Sequence, residues 1–329
     1  MPSPRGRGFR LGAHYPQGEG SVGYPEDPLV SADVATLPLV EMGQAAKAPV
    51  SPWRIVWRKL RGSRVALTGA VVLAVVVLLS ALAPLIAPHG KNEIDLFTIT
   101  ADPSRDYWLG TDPLGRDVLT RLLYGGQVSL MIGVSAALFA VTVGVAVGAI
   151  AGYYGGWVDA LLMRFVDLML AFPSIFLLLI VAAILDGITA TNIVVFLGAF
   201  GWMWLARIIR GEFFSLKRRE FVEATRMIGA PGHRIILRHL LPNVVGPIIV
   251  ALTLDIALYI LSEASLSFLG FGVKPETPTW GNMLNEARAY SLTHPLLAIA
   301  PGVAITVVVL AINFVGDGLR DAFDPRGRG

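Results

Sequence analysis

Asp255, Tyr259 and Glu263 stand four residues apart inside the apolar run Val244–Leu269. On a helix, positions i, i+4 and i+8 share a face, so the three form one polar stripe. A carboxylate near mid-membrane costs about 3 kcal/mol or more, so such a stripe must face a bundle interior or a water-filled path. Lining a translocation path and pairing structurally both satisfy that demand, and the residues alone do not choose. Arg164 and Asp167, three apart in an earlier apolar run, can pair or reach the interface.

Chemistry of other kinds is missing. The sequence has no GxxxxGK[ST], no HExxH and no GxSxG. Its five His are scattered, and His233 and His239, six apart, fall on different sides of a helix. Cysteine is absent, which excludes disulfides and thiolate chemistry. No Asp/Glu/His relay crosses several apolar runs, as proton-coupled transport would need. The chain is thus expected to be a non-enzyme that binds no cofactor or metal, and any uphill work must reach it from outside.

The elements that hold these residues are membrane spans. The chain is 54% hydrophobic and 16% charged, where soluble domains run nearer a quarter charged. With 35 Gly and several apolar runs of about twenty residues, it reads as an all-α polytopic membrane protein. Six spans are expected, at Val65–Ala83, Val128–Ala151, Ala160–Leu185, Ile188–Ile209, Val244–Leu269 and Leu296–Val315. Pro84 and Pro88 should end the first, and Pro173 should bend the third. Gly144, Gly148 and Gly152 give the second a small-residue face for close helix packing.

Around the spans, residues 1–50 carry seven Pro and seven Gly without apolar periodicity, which predicts a disordered tail. Residues 51–100 hold a basic, Trp-bearing interfacial segment, Trp53–Arg64, and the first span. A polar loop over 101–127 precedes a five-helix domain over 128–317, and 318–329 form a second tail. No cleavable signal peptide is evident, since the first apolar run begins at Val65. Lys and Arg number sixteen on one set of loops and six on the other. The positive-inside rule therefore predicts that both termini and the loop 220–243 are cytoplasmic, with 101–127 and 270–295 on the outside.

That cytoplasmic loop, EFVEATRMIGAPGHRIILRHLLPN, has a shape of its own. Glu220–Ile228 can form two amphipathic turns with Phe221, Thr225 and Ile228 on one side. Gly229 suits a left-handed helix stop, and Pro231 suits the first turn of a second helix bearing Arg234 and Arg238. Leu241-Pro242 closes the unit.

Glu223-Ala224-Thr225, Gly229 and Leu241-Pro242 resemble the EAA loop of permease subunits of binding-protein-dependent ABC importers. Thr225 and His239 depart from the general pattern toward the peptide-permease branch. Gly110–Asp117 resembles the GTDxxGRD segment of the C-type subunit of dipeptide/oligopeptide permeases. Leu266–Gly272 with Trp280-Gly281-Asn282 resembles its LSFLGxG and WGN region, and Gly316–Asp321 with Asp324-Pro325-Arg326 its closing GDxLRDxxDPR. The similarity spans about 51–326.

The resemblance implies a type I ABC importer fold in a bacterial or archaeal inner membrane. It further implies half of a pore, completed by a homologous second permease, with lipid around it and no nucleic acid. Two cytoplasmic ATPases would carry the ATP and Mg²⁺, and an outside binding protein would deliver the substrate. Glu220, Glu223, Ala224, Thr225, Gly229, Arg234, Leu241 and Pro242 would make the ATPase coupling unit. Asp112, Arg116, Trp280 and Asn282 would lie where the binding protein docks, with local bracing by Asp112, Arg116 and Asp117 as the other reading. Dipeptides or oligopeptides are the expected cargo. The same branch also serves nickel complexes and oligosaccharides, and an ion-coupled secondary transporter is the alternative of a different kind.

Overall fold

Two helices meet at Ser63. Pro52–Gly62 (α1) ends there, and Arg64–Ala81 (α2) begins, with the Ser63 hydroxyl accepting the Ala66 N–H at 3.3 Å. A serine in extended conformation is a preferred N-cap because its oxygen satisfies an orphan amide. The computed structural model describes residues 52–184 and 188–323. The expected tail 1–50, the loop at 186–187 and the closing Asp324-Pro325-Arg326 lie outside them. In α1 the Arg61 guanidinium lies 4.9 Å over the exposed Trp57 ring, and the helix packs against α12, described below.

α2 stops at Ala81, and Pro84 sits in the first turn of the short Ala83–Ile86 (α3). An irregular, hydrogen-bonded loop leads to Asp117, whose carboxylate accepts the Thr120 N–H at 2.8 Å and opens Val118–Tyr154 (α4). This helix is 37 residues long. It absorbs residues 118–127 of the expected polar loop, so the expected boundary at 127/128 falls inside a helix.

Gly155, at φ +67°, turns the chain into Gly156–Leu170 (α5) and then Ser174–Ile184 (α6). The third span is therefore broken rather than continuous, with a bend of 73° at the residues before Ser174. Pro173 has no N–H, and its ring excludes a helical residue before it, so the ladder stops there.

Ala190–Leu216 (α7), capped by the Thr189/Asn192 box, runs seven residues past its expected end. It leads through Lys217–Arg219 to Glu220–Met227 (α8) and Gly232–Ile235 (α9). Val245–Phe268 (α10), Trp280–Ala287 (α11) and Leu296–Phe323 (α12) complete the chain. α12 continues past the expected domain edge at 317. Five described helices are long and apolar enough to cross a membrane, and the bent pair α5–α6 makes a sixth crossing if counted as one. The architecture is all-α, and the residues from 52 onward belong to a single compact unit.

The glycine face of α4 lies on α7, the most extensive helix contact in the molecule. A methyl on Gly148 would come within 2.5 Å of the Ala206 carbonyl, and one on Gly144 within 2.7 Å of the Trp202 carbonyl. A methyl on Gly152 would strike the Phe213 side chain at 2.5 Å. Backbone meets backbone here, which is how helices gain packing energy where lipid is as apolar as leucine. Across the bundle, Ile132, Met203 and Trp202 fill the layer between α4 and α7. Ile260, Val308 and Ile312 fill that between α10 and α12.

Candidate functional site

α8 carries Glu220 and Glu223 in its first turn, where carboxylates complement the positive end of the helix dipole. Its inward residue is Val222, fully buried with Phe213, Ile209, Ile235 and Leu240. The expected apolar side of Phe221, Thr225 and Ile228 is thus corrected. Phe221 is exposed and Ile228 is 84% exposed, because Val222 is the residue that enters the cluster of Ile209, Phe213, Ile235 and Leu240. Glu223 and Ala224 are exposed, while the Thr225 hydroxyl donates back to the Phe221 carbonyl at 2.7 Å.

The helix ends in a Schellman turn. The Gly229 N–H donates to the Arg226 carbonyl at 3.0 Å and the Ala230 N–H to the Thr225 carbonyl at 3.3 Å. Gly229 itself has φ +78° with open space where a Cβ would be, so conformation alone asks for glycine. Met227, 88% exposed, and Ile228 form the apolar tip of this turn.

Pro231 caps α9 rather than entering its first turn, and α9 is a single turn. A π-helical turn, Ile236–Leu240, and a 3-10 turn, Leu241–Asn243, follow it. Pro242 cannot donate to the ladder, so the chain leaves α geometry before it. Arg234 and Arg238 are exposed and Leu241 is half-buried.

The loop is tied to the helices above it. The Lys217 ammonium donates to the Gly152 carbonyl at 2.7 Å, satisfying the carbonyl end of α4. Burial holds that ammonium below its ordinary pKa, with Asp159 opposing the shift. The Arg226 guanidinium lies 5.6 Å over the Tyr153 ring, and a Cβ on Gly232 would meet the same ring at 2.9 Å. Arg210 grips Asp159 of α5 with two donors, one at 2.6 Å. Asp167 pairs with Arg207 of α7, not with Arg164 as spacing suggested. A neighbouring helix offered the nearer guanidinium.

The polar stripe of α10 divides. Glu263 is fully buried, accepting from the Ser267 hydroxyl at 2.7 Å and the Ser129 hydroxyl at 3.2 Å. Tyr259 is buried with its hydroxyl against Gly201 of α7. Asp255 is half-buried and has the most open surroundings of the three.

On the side away from α8, Asp112, Arg116, Trp280 and Asn282 are all buried, at 5%, 4%, 2% and 5% exposure. Arg116 donates to Asp112 at 2.6 Å and to Glu286 of α11 at 2.8 Å, and Arg121 donates to Glu286 at 3.2 Å. Asn282 caps α11 with Thr279, and the Trp280 indole donates to the Leu122 carbonyl at 3.0 Å. These side chains brace the surface and do not form it. Among the exposed apolar residues there are Phe97, Trp108 and Leu292, at 100%, 68% and 97%. Sequence reasoning passed over them because isolated apolar residues in a loop carry no motif. Nearby, Asp95 is held below its ordinary pKa, first by the Phe97 N–H it accepts.

Residues 144–329 match the family model of the binding-protein-dependent transport system inner membrane component. Residues 51–103 match the N-terminal transmembrane domain of oligopeptide transport permease C. The glutathione transport system permease protein GsiD of Escherichia coli O6:K15:H31 (strain 536 / UPEC) is 42% identical over 299 residues, which cover 91% of this chain and 97% of that protein. The protein of the same name from Shigella boydii serotype 4 (strain Sb227) is 42% identical over 294 residues, covering 89% and 95%. With two successive family models and near full-length similarity falling on the helices just described, the chain belongs to the peptide branch of ABC importer permeases, multi-pass transport subunits of the C type that are not themselves enzymes.

Proposed function

We propose that this permease admits short peptides, and that the 220–243 loop is where ATPase work enters it. The observation that carries the reading is the construction of α8: one buried anchor, Val222, and an outward set of Glu223, Met227 and Ile228 on a Schellman-locked turn. An exposed helix held this firmly can transmit displacement. Glu220, Glu223, Ala224, Thr225 and Gly229 form the docking helix, while Arg234, Leu241 and Pro242 join it to α10. In this reading the termini and the loop are cytoplasmic, as the Lys and Arg count supports. A homologous second permease completes the pore, two ATPases hold the ATP and Mg²⁺, and an outside binding protein delivers cargo. Residues 101–117 face outside, and the five-helix domain beyond carries the pore.

Glu223→Arg is expected to abolish uptake in the reconstituted importer while the protein still inserts in the membrane; unimpaired uptake overturns the coupling role. Cargo is tested in the same liposomes with labelled tripeptide, a nickel chelate and an oligosaccharide. Peptide uptake alone is the expected result, in keeping with relatives named for glutathione transport.

Asp255, with Tyr259 beside it, is assigned to the translocation path. Asp255→Ala should lower the uptake rate with thermal stability retained, and unchanged uptake removes it from the path. Phe97, Trp108 and Leu292 receive the binding protein. A photocrosslinker at Trp108 should capture it, and no adduct in any nucleotide state removes that surface.

A further inference from the structure

Glu263 is a buried carboxylate that neither the coupling loop nor the translocation path uses. Its two oxygens join α10, through Ser267, to α4, through Ser129. The Ser129 hydroxyl in turn accepts the Trp280 backbone N–H at 3.2 Å, the first amide of α11. Around this joint α4 and α11 touch closely. The Trp280 indole holds the Leu122 carbonyl, and a Cβ on Gly126 would reach the Trp280 ring at 3.0 Å. Arg121 of α4 holds Glu286 of α11.

The other end of α4 is fastened to the basic loop by Lys217 on the Gly152 carbonyl and by Tyr153 under Arg226 and Gly232. The helix that joins the two fastenings is unbroken over its 37 residues, about 55 Å from end to end. A carboxylate costs several kcal/mol to bury unless satisfied; Ser267 serves this one from within α10, and its second donor is present only while α4 and α10 keep register at α11. We infer that Glu263 and Ser129 form a positioning latch: they lock α11 to the top of α4, so that a load on the outer face is carried along α4 as a rod to the coupling loop.

The inference rests on the coupling reading of α8. Coupling between distant sites needs a demonstrated energetic link, and the link is measurable as stimulation of ATP hydrolysis by the binding protein. The experiment uses the complete importer in nanodiscs. ATPase rate is read with and without the cognate binding protein, carrying whatever ligand it retains on purification, so the outcome does not depend on peptide being the cargo.

Ser129→Ala should leave the basal rate unchanged and lower the melting temperature only modestly, while stimulation falls about fivefold or more. Glu263→Leu should lose at least as much stimulation, and Glu263→Gln, which keeps an acceptor oxygen, should lose less. Full stimulation in Ser129→Ala overturns the latch. So does a parallel fall of basal rate, stimulation and melting temperature, which would mark the hydroxyl as stabilising only. Glu223→Arg run alongside separates the two ideas: if it leaves stimulation intact, the coupling reading fails, whatever Ser129→Ala shows.

Discussion

Gly229 shows how much one residue can settle. Its φ of +78° with nothing near the missing side chain isolates the backbone effect from packing. Gly229→Ala should therefore destabilise the turn by about 1–2 kcal/mol, read as faster amide exchange at Ala230 and lower uptake at unchanged insertion. Val222→Asp places an unpaired carboxylate among Phe213, Ile209 and Leu240 and should detach α8, seen as protease sensitivity at Arg226. The glycine was readable in the sequence because a left-handed stop followed by proline is a local signal. Val222 was not. A two-turn helix has several plausible inner faces, and the one chosen depends on where α4 and α7 lie. Asp167 gives the same lesson: its guanidinium partner is 40 positions away in the chain, while i, i+3 spacing offered only Arg164 or the interface.

Helices were legible where their signal repeats and misread where it merges. The GxxxGxxxG face of α4 announced a close contact, but only the fold names α7 as its partner. Gly148→Leu should separate the two helices and lower the melting temperature in detergent, whereas Gly211→Ala on α7, with open space around it, should not. The same helix was cut short by composition, since Val118–Gln127 reads as polar loop. Arg121 and Thr120 there are buried and partnered, so α geometry continues through them. The broken third crossing was half visible. Pro173 marked the place, while the 73° turn follows from how α5 and α6 pack, which no single residue encodes.

At the scale of the molecule, two polar surfaces lie at the ends of a bundle whose crossings differ greatly in length. α4 spans about 55 Å and α2, with 18 residues, about 27 Å. The long helix is held at both ends by protein, and its reach past the bilayer is absorbed there. α2 has no such shelter. Val65, Leu67, Val71, Val75 and Leu78 of α2 are exposed toward the surroundings of the bundle, and the helix runs between Arg64 and the Pro84 turn. A hydrocarbon layer of about 30 Å already exceeds it. Hydrophobic mismatch should therefore register first on α2, and through its contact with α12 on the rest of the bundle. Uptake in liposomes of increasing acyl-chain length should decline beyond the natural thickness, and inserting one apolar turn into α2 should move that optimum toward thicker membranes. The shortest crossing, which bears none of the chemistry, would then decide in which bilayers the transporter works.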